Sequence, residues 1–113
     1  MGVNTEMKQR VLIPTEDQNG TIVAGHFGRA PFFILFDIDE DGSILNKEVR
    51  PNTGGHRGGM GFAHDNVVGF SPTIIIVLGM GPRGVANFQS KNIAVLKADS
   101  TSIEQVLDSY KNN

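Results

Sequence analysis

A mixed β-sheet with helices on its faces is the architecture that this sequence predicts. Three observations predict it: a β-hairpin in the first half of the chain, helical and extended signals alternating after it, and an amphipathic stretch at the carboxy terminus. The predicted order is β β β α β α β α, and right-handed crossovers over one sheet are the economical way to pack that order. It gives an α/β protein with a central mixed five-stranded sheet and about three helices.

Val11-Leu12-Ile13-Pro14 reads as a short buried strand that leaves through the polar loop Thr15 to Gly20, where Asn19-Gly20 is a turn signal. Thr21 to Pro31 is irregular, with glycines bracketing His26 and Phe27. Phe32 to Ile38 is strongly β-prone, and Asp41-Gly42 separates it from Ser43 to Arg50, so the two form a hairpin. The second arm is more polar and belongs at an edge, with Lys47 and Arg50 opposing edge-to-edge pairing. Ala63, Val67 and Phe70 fall at i, i+4 and i+7, a helical face that Ser71-Pro72 ends. Thr73 to Leu78 is a continuous β-branched run, the pattern of a strand covered on both faces. Pro82 suits the first position of a helix through Val85, Ala86, Phe88 and Gln89, and Asn92 to Lys97 is a further strand. Thr101-Ser102-Ile103-Glu104 reads as a capping box before a helix whose buried stripe is Ile103, Val106, Leu107 and Tyr110.

Composition narrows the function. With 113 residues the chain fits one domain, 1–113, in which residues 1–6 read as a flexible extension. A net charge of -2 from 10 basic and 12 acidic residues offers no electrostatic footprint for nucleic acid. Without cysteine the chain has no thiolate nucleophile or thiolate ligand, so a metal must use histidine, carboxylate or thioether. No secretory signal or apolar run of membrane-spanning length is present, and a soluble cytoplasmic protein is expected.

Function points to the irregular segments. Gly54 to Gly61 holds five glycines in eight positions together with His56, Arg57 and Met60. Such a loop lets main-chain N–H groups come close to a ligand, at an entropic cost that packing alone rarely justifies. His26, His56 and His64 all lie in or beside glycine-rich segments. If the loops leave the same end of the sheet, these histidines converge with Met60 and Met80. The main-chain N–H groups, Arg29, Arg57 and Arg83 then favour a negatively charged metal centre.

Gly79-Met80-Gly81-Pro82-Arg83-Gly84 satisfies the dinucleotide fingerprint after a strand and before a helix, with Asp99 beyond the next strand. The interval to Asp99 is short and only one βαβ unit follows, so no NAD is expected. The exposed N–H groups at that helix start still suit an anionic ligand. A metal-dependent nuclease needs clustered carboxylates. The first strand carries none, and Glu16, Asp17, Asp37 and Asp39 read as solvated loop or strand-end residues. No catalytic constellation is visible, and a non-enzymatic protein is expected.

Three motifs together carry a resemblance: Gly25-His26-Phe27-Gly28-Arg29-Ala30-Pro31-Phe32-Phe33, the loop Gly54-Gly55-His56-Arg57-Gly58-Gly59, and Gly79 to Gly84. They resemble the dinitrogenase iron–molybdenum cofactor biosynthesis family, which includes NifX, NafY and the C-terminal region of NifB, and the similarity spans nearly the whole chain. The resemblance implies a ribonuclease-H-like three-layer α/β/α fold. It also implies a role without turnover, binding or carrying an iron–sulfur or iron–molybdenum-type cluster or its precursor, held transiently and passed between assembly or acceptor proteins. By motif position it assigns cluster binding to His26 and His56. The expected contact set is His26, Arg29, His56, Arg57, Gly58, Gly59, Met80, Gly81 and Arg83, with His64 as a further metal ligand. Some relatives place cysteine or additional histidines in the glycine loop, where this chain has Arg57 and Met60. The alternative is a regulatory module binding a small anion, phosphate or nucleotide, at Gly79 to Gly84.

Overall fold

Val11, Leu12 and Ile13 are fully buried, and such a run with no exposed side occurs where a strand has neighbours on both edges and layers on both faces. That strand is β1 (Gln9–Thr15), the middle of a five-stranded sheet in the computed structural model, which describes residues 9–52 and 66–112. The glycine-rich stretch containing His56, Arg57, Gly58, Gly59, Met60 and His64 lies outside the described residues, as does the amino-terminal extension.

The remaining elements are β2 (Phe32–Ile38), β3 (Ile44–Pro51), the helical residues 66–69 (α1), β4 (Ile74–Val77), α2 (Pro82–Gln89), β5 (Ala94–Lys97) and α3 (Ile103–Lys111). The strand order is β3-β2-β1-β4-β5. β1, β2 and β3 pair antiparallel as the predicted hairpin continues the first strand, whereas β1/β4 and β4/β5 are parallel. β3 is an edge, as its polarity predicts, and Gly42 takes φ +90 in the β2–β3 turn, a conformation that suits glycine.

Period-two alternation divides the apolar side chains between two layers. On one face Leu12, Phe33, Leu35, Ile75 and Val77 pack with Val67 of α1 and Phe88 of α2. On the other, Val11, Ile13, Ile34, Phe36 and Ile76 pack with Ile103, Val106 and Leu107 of α3. The result is the predicted three-layer α/β/α arrangement.

Three local expectations shift. The α3 cap is Ser102, which accepts the Gln105 N–H at 3.3 Å, because the Thr101 carbonyl is taken by the Val23 N–H at 2.8 Å. β5 begins at Ala94, since Asn92 sits at φ 65 in the turn that ends α2. Asp37 is a strand-end residue, as expected, but not a solvated one: next to last in β2, it lies opposite Arg10, which grips it with a two-point fork at 2.8 and 3.1 Å.

Candidate functional site

The parallel pair at the centre of the sheet determines where a ligand can sit. β1 and β4 partner only at Val11↔Ile74 and Leu12↔Ile75. Beyond that, β1 stays with β2 as far as Thr15↔Phe32, and β4 stays with β5 as far as Val77↔Lys97. The chain leaves β1 toward β2 on one side and leaves β4 through α2 toward β5 on the other. Divergence of that kind at the carboxyl ends of parallel strands is where open α/β sheets form ligand crevices.

The segment that carries His26 is tied to the carboxyl ends of both strands. Ala24 donates its N–H to Pro14 O at 2.8 Å, and Phe27 donates to Gly79 O at 3.2 Å. Glu16 Oε2 accepts the Gly25 N–H at 3.3 Å. His26 is extended, and Phe27–Arg29 follows as one 3-10 turn in which Arg29 donates its N–H to His26 O at 3.2 Å. Phe27 is the anchor: it is 1% exposed and packs against Phe33 at 5.9 Å and edge-on against Phe88 at 5.6 Å. With Phe27 in the core, His26 and Arg29 on either side of it are exposed.

Opposite lies the turn from β4 into α2. A Cβ on Gly79 would stand 3.0 Å from Gly25 O, so the two turns approach as closely as they do because position 79 has no side chain. Gly81 is the N-cap of α2 with no side-chain cap, Pro82 occupies the first turn as predicted, and no acidic residue is found there. Main-chain donors at this end are therefore available to an anion. Arg83 is exposed in the same first turn.

Between the two turns is a cleft of about 500 Å³ lined by His26, Phe27, Gly28, Arg29, Gly79, Met80 and Gly81. It brings together His26, Arg29, Met80 and Gly81 of the predicted set. Its described lining offers an imidazole, a thioether and a guanidinium and contains no carboxylate. His26 and Arg29 make no side-chain hydrogen bond or ion pair among the described residues. No group of three or more histidine and carboxylate side chains that would hold a metal ion occurs among those residues. A larger space of about 560 Å³ runs beside α3, where four of the lining side chains pair with one another: Ser109 donates to Asp99 at 2.9 Å and Ser100 to Gln105 at 2.8 Å. Donor chemistry and position at the strand ends, not volume, favour the His26 cleft.

Sequence reasoning missed Asn52 and Asn66. Asn52 is 3% exposed; its side chain donates to Ala30 O at 2.8 Å and accepts from Asn66 Nδ2 at 2.9 Å. An asparagine before a glycine run reads as turn chemistry, and nothing in the sequence pairs it with a residue fourteen positions away.

Residues 7–113 match the family model described as dinitrogenase iron-molybdenum cofactor. A curated relative, the uncharacterized protein MJ0580 of Methanocaldococcus jannaschii, is 31% identical over 102 residues, which cover 87% of this chain and 81% of that protein. The crystal structure of PH0822 superposes with a TM-score of 0.80 at 28% identity, covering 91% of this chain and 90% of that one. The NMR structure of a putative NifB protein from Thermotoga, TM1290, shares the fold with a TM-score of 0.71 at 23% identity, covering 93% and 89%.

Proposed function

The chain belongs to that family, and from this premise we propose that it is a non-catalytic binding or carrier protein for an iron–sulfur or iron–molybdenum-type metallocluster or its precursor, acting in cofactor assembly or delivery. The cluster is cargo rather than a resident cofactor. The observation that carries the reading is exposed His26 on a cleft whose described lining adds Met80 and Arg29 and no carboxylate. Imidazole and thioether are borderline-to-soft ligands suited to iron in a sulfide environment, whereas a hard cation such as calcium takes oxygen ligands. Arg29, Arg83 and the uncapped N–H groups at Gly81 offset the negative charge of a sulfide-rich cluster.

In this reading His56, Arg57, Gly58, Gly59 and His64 supply the remaining contacts. Few protein ligands suit a carrier, which has to release what it holds. Its partners are cluster-assembly and acceptor proteins in the cytoplasm. The test is anaerobic incubation with a synthetic iron–sulfur cluster followed by desalting. Iron should co-elute with the parent and fall several-fold in His26→Ala and His56→Ala; iron-free parent protein, or full retention in both variants, sinks the reading.

One observation favours a second reading. Gly81 caps α2 without a side-chain acceptor and with no acidic neighbour in the first turn, a ready site for a small oxyanion. A phosphate- or nucleotide-binding regulatory module would then show a thermal shift with those ligands, lost in Arg83→Ala and kept in His26→Ala. The opposite pattern rejects it.

A further inference from the structure

We propose that Asn52 is a positioning residue for the His26 turn, setting the geometry of the cleft wall from behind it. Asn52 directly follows β3 and continues its ladder, donating its N–H to Pro31 O at 2.9 Å beyond the Phe32↔Pro51 pair. Its amide then does something that a strand residue does not. Nδ2 donates to Ala30 O at 2.8 Å, and Oδ1 accepts from Asn66 Nδ2 at 2.9 Å, all at 3% exposure.

Ala30 is the residue that closes the 3-10 turn, donating its own N–H to Phe27 O at 3.3 Å. The turn bearing His26 and Arg29 is thus fastened at its start by Phe27 N–H to Gly79 O and at its end by the Asn52 side chain. A buried primary amide with both polar ends engaged is selective. A carboxylate there loses the donor to Ala30 and sets an oxygen against a carbonyl, and an apolar residue leaves Ala30 O and Asn66 Nδ2 without this partner. Asn66 stands behind Asn52 as its orienting neighbour, so α1 bears on the cleft through two amides although neither lines it.

The effect on binding rests on the carrier reading above, and the test separates the two. Amide hydrogen exchange of the ligand-free protein is measured at Phe27 and Ala30 for the parent, Asn52→Asp, Asn66→Ala and Ile34→Val. Ile34 is buried on the opposite face and serves as a control for general loosening. Asn66→Ala keeps the test open if the Asp variant does not fold. We expect exchange at both amides to rise about tenfold or more in the asparagine variants and not in Ile34→Val, with a several-fold loss of synthetic cluster on desalting. Unchanged exchange overturns the proposal, as does an equal rise in Ile34→Val. A specific rise with cluster retention at the parent level overturns the link to binding. A parent that retains no cluster removes the carrier reading, and exchange alone then decides the role of Asn52.

Discussion

The two ends of the central strand pair are held together by different means. At the amino-terminal end of β1, side chains reinforce the main-chain bond from Thr73 N–H to Arg10 O at 2.9 Å: Arg10 forks onto Asp37 of β2 and donates through Nη1 to Phe70 O at 2.9 Å, and Thr73 Oγ1 accepts the Arg10 N–H at 3.0 Å and donates to Gln9. The Asp37 hydrogen bond holds the Arg10 guanidinium above its usual pKa. At the carboxyl end, where the connections from β1 and β4 leave in opposite directions, main-chain bonds from Ala24 to Pro14 and from Phe27 to Gly79 frame the site. One end spends its charged side chains on structure. The other leaves an imidazole and a guanidinium exposed beside a cleft on a main-chain frame.

Truncating Phe27 tests the frame most severely. Phe27→Ala removes an aromatic that is 1% exposed and packs against Phe33 and Phe88, and should cost about 3–5 kcal/mol by denaturant unfolding. A loss below 1 kcal/mol would mean that His26 and Arg29 are not positioned from the core. At the opposite end, Arg10→Ala removes the fork and the bond to Phe70 and leaves the mostly buried Asp37 carboxylate without it; about 1–3 kcal/mol should be lost, with cluster or anion binding per folded molecule unchanged. A binding defect of the size seen in His26→Ala would abolish the distinction between the two ends.

Gly79→Ala should be smaller in stability, about 1–2 kcal/mol, because its Cβ meets a backbone oxygen at 3.0 Å and the turns have to part. Its effect on binding should exceed that of Arg10→Ala, the reverse of their stability order. The smallest effect concerns Asp17, whose carboxylate accepts from the Thr21 hydroxyl at 2.6 Å and from the Thr21 and Ile22 N–H groups. The Thr21 hydroxyl bond lowers the Asp17 pKa, so this contribution is complete above the ordinary aspartate value of about 3.9 and is lost as pH falls through the depressed folded value. Asp17→Asn should therefore lower Tm slightly at pH 7 and leave it unchanged at the acid end, which flattens the acid limb of a Tm-against-pH curve; an unchanged limb would mean that the Asp17 carboxylate contributes nothing.

The sheet was largely legible in the sequence because each strand declares itself locally, Ile74 to Val77 by β-branched continuity and β2 by its run of aromatics and aliphatics between turns. The site was legible in its parts. His26, Arg29, Met80 and Gly81 stood out because polar or soft side chains beside glycines serve packing poorly, and they line one cleft. What could not be read were relations that depend on register: Asp37 opposite Arg10, and Asn52 against Ala30 and Asn66. The α3 cap moved by one residue for the same reason, since a tertiary bond from Val23 decided between Thr101 and Ser102.

The Asn52–Asn66 bond has a consequence for how this chain can vary. Because residues 52 and 66 are joined directly, the path between them is closed whatever lies along it, and doubling its length costs only about 0.6 kcal/mol in closure entropy. Insertions and deletions between residues 52 and 66 therefore cost the described scaffold little, which makes that interval a natural place to graft metal-binding residues.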